Sequence, residues 1–191
     1  MNEIASSGQL RMSLVRWILV CVPAITALGS LIDIIAQAGP ANRWFAALVP
    51  QGALLPAWAF TSIWIILYAM IGVGLAMVIC ARGAPRRTSA IALFLVGFIA
   101  LCTWKVMFFG QHQVSSALVL MGFVLGLAAA ASIMFARIRV GAAMLMLPYL
   151  AWLCFAATFN FQIDARYPDA ETLAVPAASA NIGGGQEANQ Y

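Results

Sequence analysis

Charge is what this sequence has least of. Ten Lys and Arg and six Asp and Glu make up 8% of its 191 residues, and there is one histidine. Typical globular proteins carry about 25% charged residues, and a soluble surface on a chain this long needs several times more charge than is present. Disorder is excluded as well, because disordered chains are rich in charge and poor in apolar residues, whereas 64% of this chain is apolar. The net charge of +4 is too small and too dispersed for a nucleic-acid surface. Cysteine is sparse: Cys21, Cys80, Cys102 and Cys154 stand singly with no C-x-x-C spacing. Neither a zinc site nor a redox pair is indicated, and all four read as small buried hydrophobes. No H-E-x-x-H, nucleophile elbow or phosphate-cradling glycine loop occurs. His112 has no second histidine or carboxylate near it in sequence and reads as a solvated turn residue. The composition leaves an integral membrane protein.

What the chain has in abundance is long uncharged sequence. Five stretches reach spanning length, at 17–36, 57–80, 88–109, 114–136 and 140–163. They make residues 17–163 an all-α transmembrane domain of five helices, preceded by a cytoplasmic segment at 1–16 and followed by a flexible tail at 164–191. The uncharged run from Trp44 to Ala81 is too long for one crossing, and Pro50, Gly52 and Pro56 divide it into a loop and a helix. Arg11, Arg16, Arg82, Arg86, Arg87, Arg137 and Arg139 fall on the N-terminal side, against Arg43, Lys105 and Arg166 on the other. The positive-inside rule then puts the N-terminus in the cytoplasm and the C-terminus outside. Helical spans point to a bacterial inner membrane, since outer-membrane spans are barrels. A competing reading is a cleaved secretory signal, with Arg11, Arg16, an apolar run and Ala36-Gln37-Ala38 as an A-x-A site; the length of the run, Pro23 and Gly29 oppose it.

The connections at 110–113 and 137–139 are so short that the helices they join must be antiparallel neighbours. The long connection at 37–56 is apolar and aromatic, with Trp44, Phe45, Leu48 and Val49. Two placements suit it equally: folded over the mouth of the bundle, or lying in the interfacial zone that favours Trp. Gly122, Gly126 and Ala130, like Gly72 and Ala76, form small-residue stripes that suit close packing inside the bundle, with a homodimer seam as the alternative. Asp33 and Lys105 both lie near the outward ends of their helices, so Asp33 is within reach of water and Lys105 can snorkel; a structural role is expected of each. Trp17 and Trp44 fit an interfacial belt, but Trp64 and Trp152 lie too deep for one. Large flat rings inside a bundle can line a site for a flat apolar ligand.

Several spaced motifs carry a resemblance. Trp44-Phe45-x-x-Leu48-x-Pro50 is followed by Pro56-x-Trp58-x-Phe60-x-x-x-Trp64-x-x-x-Tyr68-x-Met70. Then come Trp104 with Phe108-Phe109-Gly110, Pro148-Tyr149-x-x-Trp152, and Ala156-Ala157-Thr158-Phe159-Asn160-Phe161. In order and spacing these resemble the TspO/MBR family of tryptophan-rich sensory proteins and translocator proteins, over residues 17–163. The resemblance implies five transmembrane helices around a pocket closed by the long first loop, commonly as a homodimer. It also implies binding of tetrapyrroles such as porphyrin or haem, in sensing, regulation, stress response or transport. Carried over by position, the ligand-binding residues are Trp44, Phe60, Trp64, Trp104, Tyr149, Trp152, Ala156 and Asn160, with Trp58 further out. The chain departs from the family pattern at Gly52, Ala53 and Leu54, where further Trp is common, at Leu101 for Asn, and at Val106 for Pro. Phe161 and Arg166 lack the Tyr of the proposed sterol motif, so sterol recognition is not expected. No cofactor is obligatory, and no acid–base pair or metal site argues for an enzyme. Beyond lipid and a tetrapyrrole, the partners to consider are a second copy or a larger membrane complex, in which the chain serves as a structural or regulatory subunit.

Overall fold

The computed structural model describes residues 7–49 and 55–173. The substitutions noted at Gly52, Ala53 and Leu54, the dividing Pro50 and the tail beyond 173 lie outside the described residues. Five long helices form: α1 (Ser7–Ile35), α3 (Ala57–Cys80), α4 (Arg87–Lys105), α5 (Val114–Ile138) and α6 (Val140–Arg166). A short α2 (Arg43–Leu48) sits in the first loop, a π-helical turn (Val106–Gly110) extends α4, and a 3-10 turn (Ala170–Thr172) follows α6. All five long elements, with α4 counted through its π turn, are long and apolar enough to cross a membrane. Helix is what such sequence must form there, because hydrocarbon offers no partner for an unpaired backbone group. The same reason lets Pro23 stay inside α1 and Pro148 inside α6.

Two segments differ from the expected organisation. The N-terminal segment expected at 1–16 is helical from Ser7, as the first part of α1. Of the stretch expected as a tail from 164, Asp164 and Arg166 belong to α6, and Ala170 is fully buried.

Around the bundle the helices run α1, α3, α6, α5, α4, with α4 returning only lightly to α1. The short connections do make α4 and α5, and α5 and α6, neighbours. Small residues let the backbones meet: a Cβ on Gly72 would stand 3.0 Å from the Cα of Val22 on α1, and one on Gly74 3.2 Å from the Ala142 carbonyl on α6. Ala76, with Gly72, is buried as expected. The other stripe is not internal packing. Gly122 and Gly126 face outward, with nothing within 4 Å of a built Cβ.

The thin α1–α4 seam is closed by charge. Lys105 Nζ on α4 pairs with Asp33 Oδ1 on α1 and donates to the Tyr68 hydroxyl of α3 at 2.6 Å. Lys105 is only 1% exposed, so it does not snorkel as expected; a partner within reach holds it inside. Gly29 makes room for this cluster, because a Cβ there would collide with the Tyr68 ring.

Candidate functional site

The described part of the first loop, residues 37–49, folds over the end of the bundle opposite the seven clustered arginines. Gly39 turns the chain at φ +115, a conformation that favours glycine, and brings its backbone against the Phe60 ring. Asn42 then caps α2 by accepting from the Phe45 N–H at 3.1 Å, while its Nδ2 donates to the Phe109 carbonyl at 3.1 Å. Trp44 Nε1 donates to the Ala170 carbonyl at 2.9 Å, and the indole stacks on His112 at 4.4 Å. Trp44 is therefore a buried anchor of the lid at 3% exposure, and the interfacial belt expected for it is not what holds it. His112 is likewise no solvated turn residue: it is half-buried under Trp44, and burial lowers its imidazole pKa. Of the two placements open to the loop, the folded one is observed.

Below the lid lies a cavity of about 600 Å³, counting the part open to the outside. Rings wall it on every side. Trp64 meets Trp152 edge-on at 6.1 Å, Phe60 meets both at 6.3–6.4 Å, and Trp104 stacks on Phe108 at 5.5 Å. The π turn after Lys105 helps here, since it leaves two consecutive rings, Phe108 and Phe109, both buried and both lining the cavity.

Polar atoms are few. The Asn160 amide, oriented to satisfy its neighbours, donates to the Val114 carbonyl at 3.2 Å. Its oxygen accepts from Trp104 Nε1 and the Leu118 N–H at the same distance. Asn160 therefore holds α6, α5 and Trp104 together. Trp64 Nε1 is buried with no hydrogen-bond partner among the described residues. Behind Trp64 stands the ion-pair cluster, with Lys105 Nζ 3.4 Å from the indole centroid. No His, Cys or Met lines the cavity among the described residues, so the wall offers no axial ligand to iron.

Six of the eight expected residues, Phe60, Trp64, Trp104, Trp152, Ala156 and Asn160, line the cavity. Trp44 packs above it instead. Tyr149 lies lower, by a smaller void lined by Ile71, Phe94, Phe98 and Met146. Trp58, the outlying candidate, is 74% exposed. The lining also includes Phe45, Phe108, Phe109 and Phe159, which stand in the motifs without a role, and Phe155, which lies outside them. Helical spacing was the missed signal: Trp152, Phe155, Ala156, Phe159 and Asn160 follow the i, i+3, i+4, i+7, i+8 pattern of one helix face.

The TspO/MBR family model matches residues 18–166. The chain belongs to the TspO/MBR family. Among curated proteins, it is similar to the translocator protein of Sus scrofa, 34% identical over 139 residues, covering 72% of this chain and 82% of that one. It is 35% identical to the translocator protein of Homo sapiens over 125 residues, or 64% and 74% of the two chains. It is 30% identical to the tryptophan-rich protein TspO of Chlorobaculum tepidum over 125 residues, or 65% and 79%. This TspO/MBR chain is thus an integral membrane protein.

Proposed function

We propose that this TspO/MBR chain binds a flat, mostly apolar ligand of the tetrapyrrole class under its lid, as a membrane sensor, regulator or carrier. The supporting observation is the cavity itself, walled by Phe60, Trp64, Trp104, Trp152 and Phe108 and almost bare of polar atoms. Such walls give a planar ring broad apolar and stacking contact. Among the described residues the cavity offers acidic side groups no free cation, since Lys105 is paired with Asp33 behind Trp64. They belong at the mouth, towards water. The ring needs no iron, as the described lining supplies no axial ligand. The seven arginines at the far end orient the cavity outward, in an inner membrane.

Titration of the detergent-purified protein with metal-free protoporphyrin IX, followed by tryptophan quenching, tests this. Saturable micromolar or tighter binding is expected, weakened in Trp64→Phe and in Trp152→Phe. Absence of saturable binding would sink it.

A second reading, a subunit packing against another copy or a larger membrane complex, is favoured by one observation. Gly122 and Gly126 present an open small-residue surface outward. Gly122→Leu lowering the mass of the purified assembly would support it; an unchanged monomer mass in both proteins would remove it.

A further inference from the structure

Basic side chains gather at the end of the bundle away from the lid. The turn between α3 and α4 carries Arg82 and Arg86, with Arg87 opening α4, and the turn between α5 and α6 is flanked by Arg137 and Arg139. Packing sets the two turns side by side. A Cβ on Gly141, at the start of α6, would stand 3.1 Å from the Met77 side chain near the end of α3, and Phe94 of α4 stacks on Phe135 of α5 at 5.7 Å. Ser13 Oγ lies 3.9 Å from Cys80 Sγ, which brings the first turns of α1, with Arg11 and Arg16, to the same end. No carboxylate answers this charge among the described residues, because Asp33, Asp164, Asp169 and Glu171 all lie toward the lid. Arg87 donates to the Ile79 carbonyl at 2.9 Å, whereas Arg82, Arg86, Arg137 and Arg139 are exposed and have no partner among the described residues. Arg87 and Arg139 also stand at the starts of α4 and α6, where a cation adds to the positive end of the helix dipole instead of offsetting it. Like charge this concentrated repels itself and opposes the compact state, so this end needs anions from outside the chain.

The class of anion follows from depth and from what lies beside the charge. The apolar spans of α3 and α5 end at Cys80 and Ile138, and those of α4 and α6 begin at Arg87 and Val140, so the arginines stand at headgroup level. Directly beyond Arg139, the strongly exposed Val140, Met144 and Leu147 recur at i, i+4 and i+7 along one face of α6. A free anion would use the charge alone, whereas a phospholipid uses the charge and the apolar stripe together. The planar guanidinium fork also matches phosphate oxygens. We propose that this end of the bundle is a binding surface for an anionic phospholipid, its phosphate held between the two arginine turns and an acyl chain lying along Val140, Met144 and Leu147. The bound lipid stabilises the bundle by relieving the repulsion among the arginines. This surface lies at the opposite end from the cavity and does not depend on what the cavity binds.

The probes are phosphatidylglycerol and phosphatidylcholine with identical acyl chains. Both are offered in equal amounts to the full-length protein in a neutral detergent, and retained lipid is counted by native mass spectrometry. The unmodified protein should retain about tenfold more phosphatidylglycerol, since each basic side chain at an anionic headgroup adds a gain of several-fold. The preference should shrink as salt rises. Arg82→Gln/Arg86→Gln and Arg137→Gln/Arg139→Gln should each lower it about threefold, and the four substitutions together should leave about twofold at most. The two double variants serve if the fourfold variant does not fold. Lys at the same four positions keeps the charge and should restore most of the preference. In phosphatidylcholine nanodiscs, added phosphatidylglycerol should raise the melting temperature of the unmodified protein and not that of the fourfold Gln variant. Equal retention of the two lipids by the unmodified protein, or an undiminished preference in both double variants, overturns the proposal. Inorganic phosphate that displaces phosphatidylglycerol at fixed ionic strength, and stabilises the protein as much as the lipid does, overturns the lipid as the occupant.

Discussion

At the arginine end the helices meet through small side chains: Gly72, Gly74, Ala76, Ala90, Ala131 and Ala142 are all buried between backbones. At the lid end three of these helices, α3, α4 with its π turn, and α6, present Phe60, Trp64, Trp104, Phe108, Trp152 and Phe159. The first set lets helices approach until dispersion contact is nearly continuous. The second holds them apart, because rings meeting edge-on at 5–6.5 Å cannot also fill the corners between them. One bundle thus has a closed half that carries stability and an open half that carries the cavity. The Asp33–Lys105–Tyr68 cluster lies in the open half, behind the cavity wall.

Breaking the ion pair from one side has the largest expected effect. Asp33→Ala leaves the Lys105 ammonium buried without its carboxylate, which costs about 3–5 kcal/mol. A drop in thermal stability in detergent, much larger than that of the charge-free Asp33→Asn/Lys105→Met variant, is the outcome to look for. Next comes a direct comparison of two glycines. Gly72→Leu drives a side chain into the α1 backbone and should cost about 3 kcal/mol, at the top of the usual overpacking range. Gly122→Leu meets open space and should stay within about 0.5 kcal/mol as a monomer. Thermal unfolding of the two side by side checks this, and equal losses would erase the distinction between inner and outer stripes. Asn160→Ala then probes the cavity half alone. It leaves Trp104 Nε1 without its acceptor and should destabilise by about 1–3 kcal/mol, with Trp104 emission changing more than overall helicity.

The smallest effect concerns the lid. The His112 pKa lies below its ordinary 6.5 because burial disfavours the charged ring. The folded lid therefore binds fewer protons than the unfolded segment, so the stability His112 lends is present above about pH 6.5 and declines as pH falls through that value. Trp44 emission followed from pH 8 to pH 5 should show a transition that His112→Gln abolishes.

The cavity wall was half legible. Trp64, Trp104 and Trp152 announce themselves because Trp is too large and too polar at one edge to be placed at random in a span. Phe155 and Phe159 are ordinary core letters until their helix face is known. Tyr149 shows the converse: its spacing three residues before Trp152 suits that face, yet α6 carries it down to the smaller void beside Phe94 and Phe98. Lys105 was the most misleading residue, since snorkelling is the default for a lysine near a helix end. Only the approach of α1 and α3, from positions 72 and 37 residues away in the chain, gives it partners.

The sequence by itself determined the five spans, their antiparallel order and the arginine-rich end. Each of these follows from local chemistry: uncharged length, turn residues and the cost of burying charge in lipid. The tertiary structure decided what lies between the spans. It placed α2 over the cavity through Asn42 and Trp44, turned Gly122 outward, and brought Asp33 to Lys105. Those outcomes depend on which helix faces meet, and no contact between faces is encoded within reach of a local pattern.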